Sequence, residues 1–413
     1  MSSPAAPSDN PFRVPAFRLF WATRVTAVLA TQIQGTTLAW QVYQVAKVGH
    51  DLKTATFFLG LIGLAQFLPM FLFVLPAGVF ADSRDRRTIF AVCLVVDAVI
   101  AGAYVALSLT GAPPLWALFS LAFLFGASRA FIAPASSAML PMLVPRPVLA
   151  RAIVLNSLSF QSGAIIGPAV GGLLVAVSPE FAYGSALVLF LLGAGLSLLI
   201  GEKTRPEPQT ASRWRLMKEG LVYVWKTRIV FGAISLDLAA VLLGGATLLL
   251  PAFAQDILHV GARGFGVMRA AGGAGAGVMA LYLAFHPIRR RGGLWMFGGV
   301  AVFGLSTVVF GVSTWFWLTI MALFVIGAAD MISVNVRQTL IQIVTPDAMR
   351  GRVSSVSMLF ISASNELGEF ESGVVARFLG PVGAAVFGGV GSLVATGLWA
   401  AWFPQLRKAD RLG

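Results

Sequence analysis

Two kinds of residue are scarce in these 413: charged side chains, at 11%, and cysteine, of which Cys93 is the only one. A soluble domain covers its surface with about 25% charged residues, so most of this chain's surface meets something other than water. One cysteine excludes an intrachain disulfide and a cysteine-based zinc site. The three histidines, His50, His259 and His286, stand near loops with no ligand spacing between them, and no metal centre is expected. Also absent are a glycine-rich nucleotide loop followed by Lys-Ser/Thr, a His/Glu metal pattern and a nucleophile elbow. These absences argue against an enzyme, an ATP-driven pump and a bound cofactor. The polar, proline-rich stretch Met1 to Ala16 has no cationic start before a short apolar core, unlike a cleavable signal peptide.

Apolar residues make up 57% of the chain. Crossing a bilayer as a helix takes about twenty of them in a row. Twelve such segments fit, centred near residues 32, 68, 99, 126, 165, 190, 242, 275, 303, 325, 364 and 392. The expected class is an all-α membrane protein. The net charge of +13 suggests nucleic acid until its distribution is read. Of the 30 basic residues, 22 fall in alternate loops and at the two termini, among them Arg84, Arg86, Arg87, Arg146, Arg151, seven from Lys203 to Arg228, and Arg289 to Arg291. The opposite face carries only Lys47, Lys53, Arg263 and Arg377. The positive-inside rule then places both termini in the cytoplasm. An anionic lipid surface accounts for the charge better than DNA does.

The stretch Glu202 to Arg228 is the one long polar interruption, opening with Pro206 and Pro208 and continuing as an amphipathic basic segment through Arg213, Trp214 and Arg215. It reads as a linker on the membrane surface, dividing the chain into residues 1–200, 201–228 and 229–413. The two outer parts match at a shift of 201 residues: Gly126 falls on Gly327, Pro145 on Pro346, Arg151 on Arg352, Gly167 on Gly368 and Gly172 on Gly373. Such parallel repeats are one transporter architecture, with the substrate site between the repeats near the midplane.

Two motifs carry a resemblance. Gly78, Asp82, Arg86 and Arg87 match the loop signature of the major facilitator superfamily, with Ser83 and Asp85 in place of its usual arginine and glycine. An anion there can sit on the positive N-terminus of a neighbouring helix. In the family that helix is the eleventh, which would start near Pro346-Asp347. The alternative is that the arginines only anchor topology. Gly163, Gly167, Pro168, Gly171 and Gly172 are similar to the family's antiporter motif, although Val154 replaces its earlier glycine. That motif accompanies export, and it also permits simple tight packing. The run Gly126 to Pro134 with Arg129, and Ser364 to Gly373, resemble the bacterial enterobactin-exporter and drug–proton antiporter branch. The resemblance implies twelve helices in two pseudo-symmetric six-helix bundles, with helices 1, 4, 7 and 10 lining the path. It also implies export of siderophores or hydrophobic compounds driven by the proton gradient.

Ionisable groups inside a membrane are functional candidates because each costs about 2.5–3.5 kcal/mol to insert. The candidates for proton coupling are Arg129, Asp237, Asp330, Glu366 and Glu369. Arg129 and Asp330 differ by the repeat offset itself, so they are expected to attract each other across the path in one state. Glu366 and Glu369 share a helical face and suit a proton carrier, or else satisfy Arg269 or Arg337. Arg24, Gln32, Gln34 and Trp40 are substrate-path candidates, their bland alternative being helix packing and an interfacial belt. The expected function is proton-coupled export of a small amphipathic or hydrophobic molecule by a monomer in contact with lipid. Uptake symport on the same scaffold and a non-transporting membrane scaffold are the alternatives. An Arg-to-Lys ratio of 24 to 6 suggests a GC-rich bacterial source and hence the inner membrane.

Overall fold

The computed structural model describes residues 10–202, 204 and 213–407. Pro206 and Pro208 of the linker, and Lys408 and Arg411 at the end, lie outside the described residues, as do the side chains of Asp82, Asp347, Arg213, Trp214 and Arg215. Every regular element among the described residues is helical. The first six are α1 (Pro15–Gly49), α2 (Leu52–Ser83), α3 (Arg86–Leu109), α4 (Leu115–Leu143), α5 (Arg146–Val175) and α6 (Pro179–Leu198). A shorter α7 (Arg213–Lys226) follows, then α8 (Arg228–Leu243), α9 (Gly261–Phe285), α10 (Gly292–Val312), α11 (Phe316–Val344) and α12 (Asp347–Trp402).

Local chemistry sets the helix starts. Asp51 accepts a hydrogen bond from the Thr54 amide at 3.2 Å, Asp85 from that of Arg87 at 3.0 Å, and Ser178 from that of Phe181 at 3.1 Å, each satisfying an amide that the helix leaves free. After α8 the chain breaks at Gly244 and Gly245 and continues as a 3-10 turn (Ala246–Leu249), a short helical turn and a π segment (Phe253–Ile257). Gly245 is needed there, because a Cβ on it would stand 2.6 Å from the Gly368 carbonyl oxygen of α12.

Ten helices among the described residues are long and apolar enough to cross a membrane. The expected count of twelve adds α1 and divides α12 in two. At about 1.5 Å per residue, the 56 residues of α12 would far exceed a hydrocarbon core of about 30 Å. Gly380, at φ +78° and followed by Pro381, interrupts it. The repeat is visible in the helix bounds: α4 and α11 coincide end to end when shifted by 201, and α5 starts where α12 does on the same shift.

The bundle has a basic end, where the chain enters α1, and a far end. One continuous buried cluster runs from Phe20 and Tyr43 across to Phe253, Phe265 and Phe310. Toward the basic end the second half keeps separate clusters, one around Leu236 and Met296 and another around Val224 and Val353. The second of these includes α7, whose Glu219 pairs with Arg352 at 2.7 Å and whose Tyr223 hydroxyl donates to the Val344 carbonyl at 3.2 Å. The linker helix is therefore docked on the second half, with Leu221, Val222 and Trp225 left exposed.

Candidate functional site: the interface between the halves

Two pairs of helices make the central contact. In one, α2 meets the first part of α12, where a Cβ on Gly60 would stand 2.7 Å from the Gly373 Cα. In the other, α5 meets α9, where a Cβ on Gly266 would stand 2.7 Å from the Gly172 carbonyl carbon. Both close approaches lie toward the far end. Toward the basic end the same four helices expose Leu68, Phe71, Leu158, Phe160, Tyr282 and Met358. Every close glycine approach between the halves among the described residues lies from the far end to mid-depth, where Gly63 meets Glu366, so the halves close there.

The far end is also tied by polar contacts. Lys47 on α1 pairs with Asp256 of the π segment at 2.6 Å, and the Tyr43 hydroxyl donates to the same carboxylate. Trp40 stacks on Phe265 of α9 with ring centres 5.1 Å apart. A second tie joins α2 to α12: Lys53 donates to the Phe378 carbonyl at 2.9 Å, and Arg377 reaches Thr54 and, at 3.6 Å, Asp51. The Thr54 hydroxyl bond, with Arg377 beside it, holds the Asp51 carboxyl below the usual carboxylate range. None of these but Trp40 was a sequence candidate. A signal did exist: Lys47, Lys53 and Arg377 are three of the four basic residues placed on the face that is otherwise poor in them.

At mid-depth, Arg129 on α4 donates to Glu366 of α12 at 2.7 Å and to the Gln66 side chain at 3.1 Å. The pair crosses between the halves, with the side chains 31% and 11% exposed. Glu369 lies within Coulombic reach of Glu366, Arg269 and Arg129. The expected partnership of Arg129 with Asp330 is not formed in this conformation. Asp330 lines a cavity inside the second half beside Asp237 and Ser333, whereas α12 packs directly on α2, so Glu366 is the carboxylate within reach. Asp237 pairs instead with Arg337 inside the second half. Asp330 is partly exposed, with no hydrogen bond or ion pair among the described residues.

Arg86, Arg87 and Asp85 of the loop region each bond within the first half and the start of the linker. Arg86 donates to the Ala138 carbonyl of α4 at 3.0 Å, Arg87 to the Ile200 carbonyl, and Thr204 donates to Asp85 at 2.6 Å. Gly78 is buried in the last turns of α2. In α5, Gly163, Gly167 and Gly171 lie against Val28, Gln32 and Ile33 of α1, while Gly172 faces Gly266. One face of that motif therefore packs within the first half, and its far end forms the contact between halves, with Pro168 inside the helix. Of the path candidates, Gln32 donates weakly to the Ala164 carbonyl at 3.4 Å, and Gln34 is buried with its carbonyl oxygen unpartnered. Arg24 donates to Ser136 of α4 at 3.2 Å.

A family model described as a transmembrane secretion effector matches residues 6–412. The chain belongs to that family, within the major facilitator superfamily. Among its relatives is the enterobactin exporter EntS of Shigella boydii, 25% identical over 403 residues, which covers 95% of this chain and 93% of that protein. EntS of Citrobacter koseri is 26% identical with the same coverage. Among solved structures, the transporter resembles a bacterial homologue of the lysosomal transporter Spinster in an inward-facing, unoccupied conformation, with TM-score 0.73, 13% identity, and 96% and 97% of the two chains covered. It also resembles the POT family transporter PepTSo, with TM-score 0.74, 12% identity and coverage of 96% and 99%. At these identities the structures speak for the fold alone. The protein is a multi-pass membrane protein of a transporter family.

Proposed function

We propose that the protein exports a small amphipathic, siderophore-like or drug-like molecule across the bacterial inner membrane in exchange for protons, with both termini in the cytoplasm. The observation that carries the reading is the Arg129–Glu366 pair across the interface. On the positive-inside assignment the basic end is cytoplasmic, so the open side faces the cell interior. An ionised Glu366 holds Arg129 and helps to keep the far end closed. Two events release it: a proton on Glu366, or a polar group of the cargo taking over the Arg129 guanidinium. An empty, deprotonated protein is then held, while either load lets the halves move. That is the condition for exchange without leak, because switching requires one of the two ligands. Export is favoured over uptake by the antiporter-type motif at the α5–α9 contact and by the exporters among the relatives.

The test is transport into everted membrane vesicles that carry an acid interior. Addition of enterobactin, the compound in the relatives' names, or of a panel of amphipathic dyes should collapse the pH gradient in proportion to cargo accumulated. The Glu366→Gln variant should accumulate nothing against its gradient. Cargo uptake that ignores the pH gradient in the wild type would remove proton coupling, and movement only in right-side-out vesicles would make the protein an importer.

A further inference from the structure

A cavity of about 10 Å³, measured as the room open to the centre of a water, lies inside the second half between α8, α10 and α11. Its walls include Val300, Phe303 and Ala329, and its polar lining is Asp237, Asp330 and Ser333. The Ser333 hydroxyl is 3% exposed and has no hydrogen-bond partner. Asp237, 5% exposed, is held on one side by Arg337, itself 3% exposed. Asp330, Ser333 and Arg337 stand at i, i+3 and i+7 of α11 and so share a face. Asp330 is the partly exposed member.

The space is about the size that one water needs, and a buried water requires two to four polar partners, which the two carboxylates and the hydroxyl supply. Two carboxylates against one guanidinium leave one negative charge in excess. In an apolar surrounding that excess is costly, and one bound proton removes it. A metal cation fits worse, because hard cations take six or more oxygen ligands and Arg337 opposes positive charge beside Asp237. The other charged side chains midway along the second half's spans, Arg269 on α9 and Glu366, Glu369 and Glu371 on α12, do not line the cavity.

We propose that Asp330, Ser333 and Asp237, bridged by one water in this cavity, form a second proton-binding site that loads independently of Glu366. The proton enters on Asp330, the partly exposed member of the cluster. It stays on the Asp330 carboxyl, which donates to the water, while Asp237 remains ionised against Arg337. The net change is one proton bound and the excess negative charge removed, with the Asp237–Arg337 pair intact. No electrons are exchanged. Ser333 holds the water in line. The site rests on the proton-coupled reading, but its occupancy is measurable without transport.

The experiment is infrared pH-difference spectroscopy of the full-length protein in liposomes, comparing wild type with Asp330→Asn, Asp237→Asn, Ser333→Ala and Glu366→Gln. Asp330→Asn should delete one protonated-carboxyl band and lower proton uptake by one per protein. Ser333→Ala should shift that band without deleting it, and Glu366→Gln should delete a different band and leave this one unmoved. A spectrum with every carboxyl band intact in Asp330→Asn would overturn the site. So would saturable binding of radioactive sodium that Asp330→Asn abolishes, since the cavity would then take a metal cation. Should Asp330→Asn fail to fold by its thermal unfolding, the Ser333→Ala band decides, and an unshifted band defeats the proposal. Failure of the vesicle experiment with these bands present would instead strike the export reading alone.

Discussion

Glu366 and Lys47 both pair across the same interface, yet they do not contribute alike. The Lys47 and Asp256 side chains are 34% and 21% exposed, and an ion pair open to solvent is worth about 1 kcal/mol or less. Glu366, 11% exposed, sits at mid-depth, where removing one partner of a buried pair costs about 3–5 kcal/mol. Arg129 is more exposed, so the lower part of that range applies. A variant lacking Cys93 allows spin labels at residues 48 and 259 for measuring far-end separation. Glu366→Gln should add a long-distance population there, about a hundredfold change in the equilibrium, while Lys47→Gln should change it no more than about fivefold. An unchanged distribution in Glu366→Gln would remove the pair from the switch. Asp51 offers a pH test at the same end. Its folded carboxyl titrates below the unfolded one, so its contribution is present above the ordinary aspartate range and is lost as pH falls through the folded value. Asp51→Ala should therefore unfold at a lower temperature than wild type near neutrality, with the gap closing in acid.

At the scale of elements, glycine decides where two helices can meet. The approach of α2 to α12 at Gly60 and Gly373 leaves no room for a side chain on either. Gly60→Val should cost about 1–3 kcal/mol as overpacking or push the far end open. Either a lower unfolding temperature or a longer label distance is expected, and neither would mean that the helices can separate slightly at no cost. The α5 motif is read differently once its neighbours are known. Three of its glycines serve contact with α1, and only Gly172 faces the other half, so valine at 172 should disturb switching more than valine at 163. The break after α8 places Asp256 at the far end through a π segment, a local irregularity common at functional sites.

For the whole molecule, the prediction is topological. Single cysteines placed at Arg84 and Arg289 in a variant lacking Cys93 should be blocked by a membrane-impermeant thiol reagent only in everted vesicles, and one at Val48 only in intact cells. The inverse pattern would place the open side outside the cell and reverse the export reading. The extent to which the halves share one core at the far end gives this conformation its stability. The separate clusters toward the basic end let the halves part there without exposing a common core.

The order of helices, the repeat and the membrane setting were legible in the chain alone, because long apolar runs and loop charge are local properties that no packing alters. The 201-residue shift even reproduces the ends of α4 and α11. Residues at risk, such as Arg129, Glu366 and Asp237, were also visible, since a charge in an apolar run is conspicuous by itself. Their partners were not. Arg129 finds Glu366 and not Asp330 because α12 lies on α2 while Asp330 lines a cavity inside the second half. Asp237 finds Arg337 within its own half. Which charge meets which is a matter of a few ångströms between segments 100 residues apart for Asp237 and Arg337 and 237 for Arg129 and Glu366. Only tertiary packing, between the halves for one pair and within the second half for the other, determines that distance.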